Sequence, residues 1–121
     1  MTGMAMGVVV LQATVTRTNT TRKSLFTLPA GAIPLLATVQ VETAFNDSGT
    51  DLLTIGEGTD DVHFASGIDV SSTGAKLIAI NETGVLTKQT QVTATYTGQN
   101  GNSTTGRAKI NMIYATPFDP S

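Results

Sequence analysis

Apolar and polar residues alternate along this chain with a period of two. Val9, Leu11, Ala13 and Val15 are interleaved with Gln12, Thr14 and Thr16, the signature of a strand with one buried and one wet face. Residues 24–28 form a short apolar strand stopped by Pro29-Ala30-Gly31. Ile33, Leu35, Ala37, Val39, Val41, Thr43 and Phe45 then mark one face of a long strand. Its early part, Leu35-Leu36-Ala37, is apolar on both faces, as expected where two sheets or two chains enclose it. Pro34 offers no ladder N–H, so it marks an edge or the first residue of the strand.

Turn chemistry punctuates the rest. Asn46-Asp47-Ser48-Gly49 accepts positive φ cheaply. Strands are expected at 52–55, 62–65 and 76–80, with breaks at Gly56-Glu57-Gly58, Ser66-Gly67, Ser71-Ser72-Thr73-Gly74 and Asn81-Glu82-Thr83-Gly84. Residues 91–97 alternate with Val92, Ala94 and Tyr96 inward, and Asn100-Gly101 is a tight-turn signal. Ala108, Ile110, Met112 and Tyr114 face inward against Arg107, Lys109 and Asn111. No helical stripe of useful length appears. About eight strands at this spacing predict a single all-β domain, an antiparallel β-sandwich or barrel. The expected layout is an N-terminal arm over 1–7, a sandwich over 8–115 and an extended, proline-flanked tail over 116–121. The expected core runs through Val9, Leu11, Val15, Phe26, Val39, Val41, Ile55, Leu77, Ile78, Val92, Ile110 and Met112.

Composition changes the picture in one respect. Charged residues make up only 13% of the 121 residues, against ~25% in an average domain. Threonine covers the difference, with 22 copies. The net charge of −2 argues against a nucleic-acid partner, which needs a basic footprint. No apolar run is long enough to span a bilayer. Seven of the nine acids, Glu42, Asp47, Asp51, Glu57, Asp60, Asp61 and Asp69, fall in a stretch without Lys or Arg. That stretch either solvates loops or presents an acidic face to a basic partner.

Chemistry is sparse. With no Cys, disulfides, thiolate nucleophiles and Cys-ligated zinc are excluded. His63 is the only imidazole, and no Gly-x-Ser-x-Gly elbow frames a serine for it. Gly56-Glu57-Gly58-Thr59-Asp60-Asp61 begins like a dinucleotide loop but carries Asp where the third Gly belongs, and no helix follows to receive a phosphate. Glu57, Asp60, Asp61 and His63 lack the spacing of a calcium loop. The expectation is a protein with no catalytic residues, no cofactor and no metal, whose acidic segment Glu57–Asp61 meets solvent or a partner.

Residues 28–76 read LPAGAIPLLATVQVETAFNDSGTDLLTIGEGTDDVHFASGIDVSSTGAK. A Pro-Ala-Gly turn feeds an Ile-Pro-x-x-Ala-x-Val-x-Val-x-x-Ala-Phe strand, followed by a Ser-Gly-Thr turn, a Leu-x-Ile-Gly strand, an Asp-Asp loop and a Ser-Thr-Gly turn. This stretch resembles small β-sheet virion structural proteins of tailed bacteriophages, the head decoration (cement) proteins and short fibre or adaptor proteins. The resemblance implies an all-β, jelly-roll-like domain working as a homo-oligomer, a trimer by expectation, on a larger shell. It implies the major capsid protein or other virion subunits as partners, no nucleic acid and no membrane, and a location in the virion. Leu35, Leu36, Glu57, Asp60, Asp61 and Phe118 are the expected interface residues. The alternative from another class is a receptor- or carbohydrate-binding β-sandwich of a tail fibre or baseplate. Exposed aromatics at loop tips would mark that reading, and most of the late aromatics lie on expected strands instead.

Overall fold

The structure, a computed structural model, describes residues 5–82 and 84–118, and only the backbone of 5, 6, 117 and 118. Eight strands follow one another: β1 (Ala5–Thr16), β2 (Lys23–Leu28), β3 (Ile33–Thr43), β4 (Asp51–Glu57), β5 (Asp60–Asp69), β6 (Gly74–Ile78), β7 (Thr90–Gly98) and β8 (Arg107–Phe118). They form two four-stranded antiparallel sheets. Sheet A has the order β1-β8-β3-β6 and sheet B the order β2-β7-β4-β5. This interleaving of early and late strands in two facing sheets is a jelly roll, the arrangement the resemblance implied.

Register converts the period of two into two faces. In sheet A, β1 pairs with β8 without interruption from Ala5↔Phe118 to Thr16↔Arg107. Val39↔Ile110 and Ala37↔Met112 are among the rungs that join β3 to β8. Residues directly opposite in such a ladder share a face. Ala37, Val39, Val41, Ala108, Ile110 and Met112 therefore point together toward sheet B and are buried. Sheet B answers with Leu53, Ile55, Val92, Ala94 and Tyr96, also buried.

Three expectations about the core change. Leu77 is 74% exposed. It lies opposite Thr38 on the outer face of sheet A, while the Lys76 ammonium turns back to the carbonyl oxygen of Asp69. The pairing with β3 sets the phase: Ile78 lies opposite the inward Ala37 and takes the half-buried position against the core. Phe45 and Phe64 are fully buried residues that the expected core did not include, although Phe45 lies on the face that the alternation marked. The strand expected at 62–65 and broken at Ser66-Gly67 instead runs from Asp60 to Asp69, because Gly67, at φ 68°, lets the chain pass a bulge without breaking.

Of the expected arm and tail, the described parts Ala5–Gly7 and Thr116–Phe118 are the last rungs of the β1–β8 ladder. The pairing of β3 with β8 begins at Ile33↔Ala115. Pro117 therefore has a sheet partner only in Met6, so its missing N–H costs the sheet no second bond.

Ile110 is fully buried at the centre of this stack. Ile110→Ala is expected to lower stability by ~2–5 kcal/mol, whereas Leu77→Ser is expected to stay within ~0.5 kcal/mol. Chemical denaturation of both variants checks the phase of the two strands.

Candidate assembly interface

The outer face of sheet A grades from apolar to charged along its strands. Val10, Ile113 and Leu36 form one row across β1, β8 and β3. Val8, Ala115 and Ile33 form the row before it. Val8 and Val10 are 64% and 59% exposed. The next row is a polar ladder: Gln12 Nε2 donates to Asn111 Oδ1 at 2.9 Å, and Asn111 Nδ2 to Thr38 Oγ1 at 3.0 Å. At the far end Glu42 receives Arg107 at 3.3 Å and Lys109 at 3.8 Å. The charges on this face are paired with each other, and at the apolar end Val8 and Val10 stand open.

Of the expected interface residues, Leu36 lies in the apolar row and is half-buried. Leu35 is the extra residue between the Pro34↔Tyr114 and Leu36↔Ile113 rungs, and it is exposed. The bulge explains why the expected face of β3 changes phase here: Pro34, not Leu35, is buried. The side chain of Phe118 lies outside the described residues.

Glu57, Asp60 and Asp61 sit elsewhere, on the hairpin between β4 and β5 in sheet B. That hairpin is braced from within. Glu57 Oε1 accepts the Thr59 hydroxyl at 2.5 Å and the Thr59 N–H at 3.0 Å, and these bonds hold its carboxyl below the usual carboxylate range. Arg22 Nε meets Asp61 Oδ1 at 2.5 Å and also donates from its guanidinium to the carbonyl of Gly58. Gly56 has no room for a Cβ, because the backbone of Asp60 and Asp61 lies directly on it. The glycine thus serves a close crossing of two strands and not a phosphate. His63 stands between Asp60, at 4.0 Å, and Glu82, at 3.6 Å. Among the described residues no group of three or more His, Asp or Glu is placed to hold a metal ion.

The opposite end of the sandwich carries a polar knot that the sequence did not announce. Asp47 is buried between two loops. Its carboxylate accepts backbone N–H groups from Gly49 at 2.7 Å, Asn100 at 3.0 Å and Asn102 at 3.1 Å. Burial disfavours its charge, and the ring of N–H donors outweighs that effect and holds the pKa below the usual 3.8. Asp51 accepts the Tyr96 hydroxyl at 2.5 Å and the Asp47 N–H at 2.9 Å. Burial first, and then the bond to Asp51, push the Tyr96 hydroxyl up to about 12. Asn46 closes the set by accepting the N–H groups of Thr104 at 2.7 Å and Thr105 at 3.0 Å. Sequence reading took this segment as a turn. The signal missed was an acid flanked by Asn and Ser with a second Asn-rich loop, residues 99–105, far along the chain.

No family model and no curated protein matches the sequence. The fold, however, recurs in solved structures. The whole chain aligns with a chain of the acidic stable capsid structure of Helicobacter pylori bacteriophage KHP30, at TM-score 0.73 and 20% identity, covering 95% of that chain. In the cyanophage Pam1 capsid asymmetric unit the TM-score is 0.70 at 19% identity, covering 95% of this chain and 87% of the other. In the capsid of Ralstonia phage GP4 it is 0.66 at 16% identity, covering 91% and 84%. The resemblance drawn from residues 28–76 is met at the level of fold: the chain shares its β-sandwich fold with chains of phage capsids.

The Asp47 knot generates an acid response. A carboxyl whose folded pKa lies below its unfolded value stabilises the fold above that unfolded value, and the contribution is lost as pH falls through the folded one. The melting temperature is expected to hold steady from neutral pH to about pH 5 and to drop below about pH 4. Asp47→Asn should melt lower at pH 7 and lose less on acidification. Thermal melts of both proteins across that range check the assignment.

Proposed function

We propose that this chain is a structural virion protein of a tailed bacteriophage and acts as a head decoration (cement) protein, binding the assembled shell as a homotrimer. The observation that carries this reading is the whole-length fold match with the KHP30 capsid chain, in which nearly all of both chains takes part. The chain of that capsid is thus about the size of this one, a single small domain.

The surface supports the reading. A sheet face that is apolar at one end and ion-paired at the other suits contact with protein more than free solution. The braced β4–β5 hairpin offers Asp60 as an exposed acid on a fixed frame. The work done is the burial of surface across subunit boundaries, with no turnover of a substrate.

Purified protein is expected to bind heads stripped of decoration, at saturating and regular positions, and to raise the temperature at which those heads release DNA. Its sedimentation mass should be three times 12.5 kDa. Absence from the head lattice in electron microscopy of the parent particle, with density for the chain on the tail instead, sinks the decoration role in favour of the tail-fibre reading.

A further inference from the structure

A sheet sandwich of this kind has four edge strands, and three are defended in the manner natural proteins use. Strand β2 is six residues long, carries Lys23 and is bulged between Ser24 and Phe26. Strand β5 carries Asp60, Asp61, His63 and Asp69 and has two register shifts against β4. Strand β6 has five residues and Lys76. Strand β1 is different. It runs for 12 residues, contains no charge and no proline, and pairs with β8 without a single bulge.

The direction of its free backbone groups can be read from one end. Thr16 N–H donates to Asn19 Oδ1 at 2.7 Å, and the Thr16 carbonyl accepts the Asn19 N–H at 3.0 Å. The Thr14 carbonyl accepts the Lys23 ammonium at 2.5 Å. Thr14 and Thr16 thus turn their backbone groups away from β8. In an antiparallel strand alternate residues do so, and with no bulge the same holds for Gln12, Val10 and Val8. Lys23 and Asn19 cap the end of this edge. Among the described residues nothing bonds the outward groups of Val8, Val10 and Gln12.

The run Val8, Val10, Gln12 is symmetric about Val10. We propose that the edge of β1 is covered by β1 of a second copy of this chain, antiparallel and centred on Val10. Val10 then exchanges both backbone bonds with its counterpart, and Val8 exchanges both with Gln12 of the other copy. Three N–H and three C=O groups of each chain are satisfied together. The apolar row Leu36–Ile113–Val10 continues straight into the same row of the second copy. Charge agrees: the strand has none, and Lys23 and Arg17 lie at the outer limits of the seam, away from their copies. A two-fold seam does not close a ring of three, so it joins one oligomer to the next.

The chain contains no Cys, which makes the test direct. A hydrogen-bonded antiparallel pair holds its Cα atoms ~5.5 Å apart, inside the ~4.4–6.8 Å that a disulfide spans. Under mild oxidation in concentrated solution, Val10→Cys should run at twice its mass on a denaturing gel. An equal mixture of Val8→Cys and Gln12→Cys should couple, while Val8→Cys alone should not. Gln91→Cys, exposed on sheet B, reports random collision and should stay single. A Val10→Cys protein that melts normally but couples no more than Gln91→Cys overturns the proposal. So does coupling of Val10→Cys to a shell subunit in place of itself. Binding of the native chain to stripped heads is scored separately, so loss of the decoration role leaves the seam standing, and loss of the seam leaves the decoration role standing.

Discussion

Strand β8 is the piece on which the rest of the molecule depends. It is flanked by β1 over its full length and by β3 over most of it, and its inward residues Ala108, Ile110, Met112 and Tyr114 are all buried. A slip of one rung would send these four to water and bring Lys109 and Asn111 inward. Burial of a side chain the size of Ile or Met is worth ~1.5–3 kcal/mol, a large share of a total stability of ~5–15 kcal/mol. The register of sheet A is therefore fixed from the inside. The rows on its outer face, apolar at one end and ion-paired at the other, follow from that register without further instruction.

The two ends of the sandwich are held by different means. At one end buried carboxylates gather backbone N–H groups from loops separated by some fifty residues, as in the bond from Asn100 to Asp47. At the other, exposed pairs such as Arg22–Asp61 brace a hairpin from outside. Surface pairs of the second kind contribute little to stability, but they set the shape of what they hold. Gly106 belongs to the first end. At φ 150° it passes directly beneath the Phe45 ring, where no Cβ fits, and Phe45 in turn packs in a tilted pair, centroids 4.6 Å apart, with Tyr96, whose hydroxyl reaches Asp51.

Much of the fold was legible because a half-buried strand repeats every second residue. Residues such as Val92, Ala94, Tyr96, Ile110 and Met112 fell on the expected side for that reason. The failures have local causes. Leu77-Ile78 is an apolar doublet, which leaves the phase open until the pairing with β3 decides it. Leu35 lost its face to a bulge, and Phe64 hides in a stretch of acids and His63. The surfaces were less legible. Leu36 was expected at an interface, but its partners Val10 and Ile113 come from the two far ends of the chain, and only the pairing of β1 with β8 brings them together. The bareness of the β1 edge could not be read from residues 5–16 alone, since a strand is an edge only by virtue of who lies beside it.

The same pairing has a mechanical meaning. Ala5 and Phe118 are opposite each other on the first rung of the β1–β8 ladder. A pull that separates these two residues acts along the hydrogen bonds of one rung at a time, because antiparallel bonds run perpendicular to the strands. The ladder then opens like a zipper under a small force. A load that slides β1 along β8 meets all the hydrogen bonds of the ladder at once. This molecule is soft when drawn apart at that corner and stiff when sheared along its strands, so a load borne through the flanks of its sheets strains it least.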